Sequence, residues 1–427
     1  DSEKDHKIQI YRKLRSFINE VNQFKSKNFQ SDISPSKLFK LCPDLEKMKD
    51  LSLPVFSTYQ MNLYSNILIQ TFMNDFTEFS TLQRPKKIII VGSDGHSYPF
   101  LLKKSEDLRS DQRVMIFHKF MNQFISTKIK TYAVIPLTSY FGAIQFVHET
   151  EGLSSMINCY REKVEKKKNK VNYSRYEHEY FRENFGKTQE FFDKLTNIQK
   201  IETFRNLIDN EHINDLRESF WHLTINSEMW LKFFENYSST CAVTSIVGYI
   251  IGLGDRHLSN IMINKRDGSL MHIDFCDLFE KDQIVQSYTE KIPFRLTPYM
   301  IKALGPCGFN GSFRYKCEET LSIIRENRYI IKNILKVFLD SPIVDAEATP
   351  FSLVTSLTLI QKRKKSNKKL IERISDKVNG TDTTFIYSSE AKIGKVEPIP
   401  VNKQVDKLIK CATNELNLGC SFWEPWK

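Results

Sequence analysis

Within "GLGDRHLSNIMINKRDGSLMHIDFCDLFE", residues 252–280, two aspartates, an asparagine and a histidine fall at spacings that suit phosphoryl transfer. Strands over 261–264 ("IMIN") and 270–273 ("LMHI") flank a turn at Asp267-Gly268. Antiparallel pairing about that turn sets Asn260, at the entry, roughly opposite Asp274, at the exit. An amide oxygen and a carboxylate at one end of a ribbon are hard donors that suit Mg²⁺, with water and phosphate oxygens filling its other positions. Asp255, five residues before Asn260, is placed to orient or accept a hydroxyl proton near the same ion. Taken singly these residues have plainer roles, a turn cap or an Asx-turn; jointly they read as a catalytic set.

Phosphoryl transfer also needs cationic donors on the phosphates. Lys103 supplies one at the end of the second strand of "RPKKIIIVGSDGHSYPFLLKK", and Asp111 or Glu106 would hold it extended. The turn "GSDG" (92–95) between those strands could cover phosphates with its backbone N–H groups.

The elements that must position these residues follow from periodicity. Residues 1–80 read as a helical extension, on the 3–4 spacing of Leu14, Phe17, Ile18 and Val21. Residues 81–150 run strand, turn, strand, helix, strand, strand, a small β-rich lobe. Residues 151–345 are mostly helical, and "TCAVTSIVGYIIG" is apolar on nearly every face and therefore buried. A lysine-rich linker is expected over 346–397. A last amphipathic helix lies within 398–427, with Val405, Leu408, Ile409, Ala412 and Leu416 on one face. The fold class expected is α+β, with a small sheet lobe and a larger helical lobe.

Composition bounds the rest. The 427 residues are 41% hydrophobic and 26% charged, ordinary for a globular chain of more than one compact unit. Asp1 in place of methionine implies a piece of a longer or processed protein. No apolar run reaches the roughly 18 residues that span a bilayer. Eight cysteines without a CxxC pair argue against a disulfide framework or zinc ribbon. The net charge of +11 suits acidic partners, although the runs at 161–170 and 362–369 also read as solvated faces.

Asp-Arg-His-x-x-Asn followed by His-Ile-Asp-Phe resembles the PI3/PI4-kinase catalytic fold, whose catalytic loop runs opposite to the His-Arg-Asp of ordinary protein kinases. "TYAVIPLT", "VGYIIGLGDRH", "IPFRLT" and the FATC-like end "VNKQVDKLIKCATNELNLGCSFWEPWK" resemble the PI3K-related protein kinases, and "DFCDLF" the ATR type among them. That likeness implies that Asp255 orients the substrate hydroxyl and His257 stabilises the transferring phosphoryl. Asn260 and Asp274 would bind Mg²⁺, with Mn²⁺ able to replace it, and Lys103, backed by Asp111, would reach the ATP phosphates. Ser93 would lie in the phosphate-covering loop. Adenine would rest against Tyr132, Phe146 and the Val147 backbone, with Met262 and Ile273 below. It further implies Ser/Thr-Gln protein substrates, an ATRIP-like adaptor and indirect contact with DNA through upstream regions, a nuclear location and no membrane. Cys276 replaces the glycine usual after Asp-Phe, and Gln145-Phe146 replaces the common acidic residue and tryptophan. The tail is short before Phe422, Trp423 and Trp426. The rival functions are a phosphoinositide kinase, disfavoured by the few basic residues in 276–291, a pseudokinase scaffold and a nucleic-acid-binding module.

Overall fold

The computed structural model describes residues 36–41, 43–50, 52–53, 67–79, 84–104, 107–138, 140–168, 195–210, 212–280, 292–340, 367–385 and 397–419. The chain divides into two compact units, one of residues 1–119 and 131–148, the other of residues 120–130 and 149–427.

The first unit is built on one antiparallel sheet. Its strands are β1 (Ser36–Lys37), β2 (Ile69–Phe72), β3 (Asp75–Glu78), β4 (Lys86–Gly92), β5 (Ser97–Lys104), β6 (Val134–Thr138) and β7 (Phe141–Gln145). The order is β1-β3-β4-β5-β7-β6, and β2 also pairs with β4. Strand β4, "KKIIIVG", alternates strictly between buried and half-buried positions, as a strand with one face on a core must. Ile88, Ile90, Phe100, Leu102, Phe141 and Ala143 form that core with Ile69, Phe72 and Phe76. Helix α1 (Arg109–Met121) buries Val114, Met115 and Phe117.

The strand–turn–strand–helix–strand–strand order expected over 81–150 is present. The helical extension expected over 1–80 is not its whole content, because β2 and β3 add to the sheet through β4. "IQTF" and "DFTE" place β-forming Ile69, Phe72 and Phe76 inward, whereas the helical spacing came from residues 14–21, outside the described residues.

The second unit centres on α5 (Ser227–Ile251), preceded by β8 (Thr150–Gly152), α2 (Leu153–Lys168), α3 (Asn197–Asn210) and α4 (Asp215–Leu223). Helix α5 is buried nearly throughout residues 237–251. Asn226 caps its start, accepting from the Met229 N–H at 2.8 Å. Its end is a Schellman motif. Gly252, at φ 59°, donates to Tyr249 O, and Leu253 N–H reaches Gly248 O at 2.9 Å. Strands β9 (Ile261–Asn264) and β10 (Leu270–His272) follow, and β8 pairs with β9 to make a three-stranded sheet. Helices α6 (Pro298–Ala303), α7 (Ser312–Glu326) and α8 (Arg328–Asp340) come next, α7 packing along α5.

The linker expected over 346–397 needs correction. Residues 367–379 form a helix, α9, that buries Ile374, Lys377 and Val378, and Asp382 and Phe385 are buried after it. Lysine content suggested solvation, yet the apolar positions at 370, 374 and 378 make a stripe that docks. Helix α10 (Val401–Ala412) buries Val405, Leu408, Ile409 and Ala412 as expected. The chain then breaks into α11 (Glu415–Gly419), where Leu418 is buried rather than Leu416. Phe422, Trp423 and Trp426 lie outside the described residues, as does most of the acidic loop over 276–291. Among the described residues no helix is long and apolar enough to cross a membrane.

Candidate active site

The ribbon pairs as its turn chemistry requires, Leu270 with Ile263, Met271 with Met262 and His272 with Ile261. One step further, the Ile273 N–H donates to Asn260 O at 3.0 Å, so Asn260 and the Ile273-Asp274 pair meet at the ribbon's open end. The Asn260 amide nitrogen donates to the Asp255 main-chain oxygen at 3.0 Å and to its carboxylate at 3.3 Å. Asp255 is exposed, whereas Asn260 is buried. The catalytic loop also leans on α2, through the Ser154–Ser259 hydroxyl pair at 2.8 Å.

Arg256 ties these parts together. It is 3% exposed, and its guanidinium donates to Gly254 O and Ile273 O at 2.8 Å each, and to Asp274 O. The same group sits 5.6 Å from the centroid of the fully buried Phe275 ring. One planar fork thus fixes the loop bearing Asp255 to the strand end bearing Asp274. Arg256 was not among the residues expected at the site. Its signal was an arginine set directly between the candidate catalytic residues Asp255 and His257.

Asp255 and Asp274 both sit in the left-handed region, at φ 54° and 59°. Each costs on the order of 1 kcal/mol, a strain kept only where the surroundings over-determine it. The Asp274 carboxylate accepts from the Cys276 thiol at 2.9 Å, so the cysteine in the usual glycine position faces the carboxylate expected to bind a metal. Burial lowers the pKa of His257, and Arg256 and Arg295 reinforce this against the Asp255 and Asp274 carboxylates. A histidine so placed is neutral near pH 7 and offers one N–H as a donor.

Asn260 and Asp274 fit a divalent ion: two hard oxygen donors on one rigid ribbon, with the adjacent Arg256 donating to the backbone oxygens of Ile273 and Asp274. Mg²⁺ held there would neutralise charge on nucleotide phosphates. Met262, on β9 opposite Met271 and Gly152, and Ile273 are half-buried on the same ribbon.

The remaining expected residues belong to the first unit. Lys103 lies on β5 opposite Gly142, and Asp111 is buried in the first turn of α1. Ser93 opens a tight turn closed by Gly95 at φ 77°. The backbone cradle expected there is in large part engaged within the protein. The N–H groups of Gly92, Ser93 and Gly95 donate to His96 O, Leu68 O and Gly92 O, and that of His96 donates to the Asp94 carboxylate. The Ser93 side chain retains its hydroxyl proton for a phosphate, since its oxygen accepts from the Leu68 N–H at 3.0 Å.

Phe146 follows β7, where its N–H donates to Pro99 O at 2.9 Å, and Val147 beside it is half-buried. The Lys87 ammonium lies 4.2 Å from the Phe146 ring centroid and Phe79 stacks at 6.4 Å, so part of that ring is already covered. Tyr132 departs from its expected role as an adenine contact. It is 2% exposed, and its N–H points at the Met115 sulfur at 3.5 Å, which leaves a ligand no surface on it.

The profile of the family described as phosphatidylinositol 3- and 4-kinase matches residues 97–348. "Serine/threonine-protein kinase TOR" of Oryza sativa subsp. japonica is 34% identical over 330 residues, covering 75% of this chain and 13% of that protein. "Serine/threonine-protein kinase mTor" of Drosophila melanogaster is 36% identical over 312 residues, covering 71% of this chain and 12% of that protein. "Serine/threonine-protein kinase ATR" of Arabidopsis thaliana is 33% identical over 368 residues, covering 81% and 12%. The chain therefore spans only about an eighth of the length of these relatives. The solved "FAT and kinase domain of CtTel1" aligns with a TM-score of 0.72 at 23% identity, covering 96% of this chain and 28% of that one, a likeness of fold.

Proposed function

Because the chain belongs to the phosphatidylinositol 3- and 4-kinase family, and within it to the PI3K-related protein kinases, we propose that it transfers the γ-phosphoryl of ATP to serine or threonine hydroxyls of proteins. The observation that carries this is the Asp255–Asn260–Asp274 set, bound into one piece by Arg256. Asp255 orients the attacking hydroxyl and takes its proton, and the His257 N–H donates to the phosphoryl oxygens as charge develops. Lys103 neutralises phosphate charge, with Asp111 as its counter-ion, and Ser93 donates its hydroxyl. Asn260 and Asp274 would hold Mg²⁺, or Mn²⁺ in its place; when bound it shields the phosphate oxygens from the incoming nucleophile. Family likeness assigns adenine contacts to Phe146 and the Val147 backbone in the first unit, and to Met262 and Ile273 in the second.

The kind of protein substrate is a finer matter. The "DFCDLF" motif and the "SIVGYIIGLGDRH" stretch favour an ATR-type kinase acting in the nucleus on Ser/Thr-Gln sites, with an ATRIP-like adaptor and DNA engaged indirectly. The relatives favour neither branch, since proteins named TOR match at 34–36% and one named ATR at 33%. A TOR-type kinase is thus the second reading. Assay of the purified full-length protein on a Ser-Gln peptide and on the same peptide with Gln replaced by Ala separates them. A preference of tenfold or more for Ser-Gln supports the ATR type, and equal rates support the other. Phosphoinositide vesicles run in parallel test the lipid-kinase alternative.

A further inference from the structure

Six residues after Asp274, the Glu280 carboxylate is held by two cations from helix α9. Arg373 Nε lies 2.9 Å from Glu280 Oε2 and its Nη2 donates to Oε1 at 3.3 Å, while Lys377 Nζ pairs with Oε1. Lys377 is 2% exposed, and its ammonium also donates to Tyr249 O at 2.8 Å, near the end of α5. Arg373 and the Tyr249 hydroxyl both reach the fully buried Asp382 carboxylate, the latter at 2.7 Å. Gln404 of α10 closes the cluster by donating to Lys377 O at 2.7 Å. Burial would raise the Glu280 carboxyl, yet Lys377 and Arg373 hold it below the usual range.

What Glu280 anchors is the segment laid against the catalytic loop. Phe279 N–H donates to Ile251 O at 2.9 Å, Glu280 N–H to Gly252 O at 3.0 Å and Gly254 N–H to Asp277 O at 3.2 Å. Phe279 and Glu280 are consecutive non-glycine residues in the left-handed region, at φ 61° and 54°. Such a pair persists only when side chains outside the turn fix it. The approach is close enough that a Cβ on Gly254 would fall 1.8 Å from the Asp277 carboxylate.

We propose that Lys377 and Arg373 are positioning residues for phosphoryl transfer, acting through Glu280 to hold residues 277–280 against the loop that carries Asp255. Helix α9 thereby acts on the active site without touching substrate. This inference rests on the kinase reading above.

The test uses the full-length protein as wild type, Glu280→Gln, Arg373→Lys, Arg373→Met and Glu280→Gln with Lys377→Met. It reads kcat, KM for ATP, melting temperature and amide exchange at Gly254, Phe279 and Glu280. Glu280→Gln is expected to lower kcat at least tenfold with KM for ATP within twofold, and to speed exchange at those three amides. Arg373→Lys, which keeps the charge, should keep most of kcat, and Arg373→Met, read in the same way and expected to lose it, stands in should Glu280→Gln not fold. The double variant should lose no more than Glu280→Gln alone. Wild-type kcat and exchange in folded Glu280→Gln, or losses that multiply in the double variant, would overturn the proposal. An inactive wild type removes the kinase reading instead, and faster exchange in Glu280→Gln then still supports the positioning contact.

Discussion

The Asn260 side-chain amide spends its nitrogen on Asp255, at 3.0 Å to the main-chain oxygen and 3.3 Å to the carboxylate. That orientation braces the strained Asp255 backbone and, on the proposed reading, keeps the amide oxygen for the cation. Asn260→Ala is therefore expected to lower kcat by about 10²-fold and to raise the Mg²⁺ concentration needed for half-maximal rate. Rate measured against Mg²⁺ at saturating ATP checks both parts.

Arg256 is engaged by three backbone oxygens from two segments. Arg256→Met keeps the bulk over Phe275 but leaves those carbonyls without their donor. Each buried group so stranded costs roughly 1–3 kcal/mol, so the variant should lose about 3 kcal/mol and most activity. Denaturant unfolding beside a kinase assay reads the two losses.

Gly252 ends α5 at φ 59°, and a Cβ there would lie 3.0 Å from Glu280 N and 3.2 Å from Phe279 C. Backbone cannot swing aside as a side chain can. Gly252→Ala should cost about 2 kcal/mol, more than the roughly 1 kcal/mol of a left-handed cap alone. Melting temperature is the readout.

His118, in α1, is buried and its pKa is pushed down to about 4. An unfolded chain binds that proton near pH 6.5, so from there down to pH 4 the unfolded state gains a proton that the native state lacks. Stability should then fall by roughly 3 kcal/mol across that window, with no contribution above it. His118→Phe is expected to flatten the acid side of the stability–pH curve, measured by denaturant midpoints from pH 4 to 8.

Local chemistry made much of the ribbon legible in the sequence. Asp267-Gly268 and the alternating strands beside it fix a register, and register alone brings Asn260 opposite Ile273, the residue before Asp274. Strand β4 was equally plain because its burial follows a period of two. Strands β2 and β3 were not, being four residues each beside a segment whose helical spacing dominated the reading. Tyr132 shows the limit of likeness. Its place in the chain suited an adenine contact, but the residue is buried, 2% exposed. The Glu280–Lys377 pair spans ninety-seven residues, a long-range contact that no local period encodes. Its one visible sign is a lysine on an apolar stripe, with Ile374 and Val378 buried beside it. A buried lysine needs a carboxylate partner.

The most direct test of the catalytic assignment is transfer of labelled γ-phosphoryl from ATP to a Ser-containing peptide by the full-length protein, wild type against Asp274→Ala. The account predicts Mg²⁺-dependent transfer by the wild type and a loss of at least about 10³-fold in the variant, with folding retained. Transfer by Asp274→Ala at a rate close to wild type would contradict it.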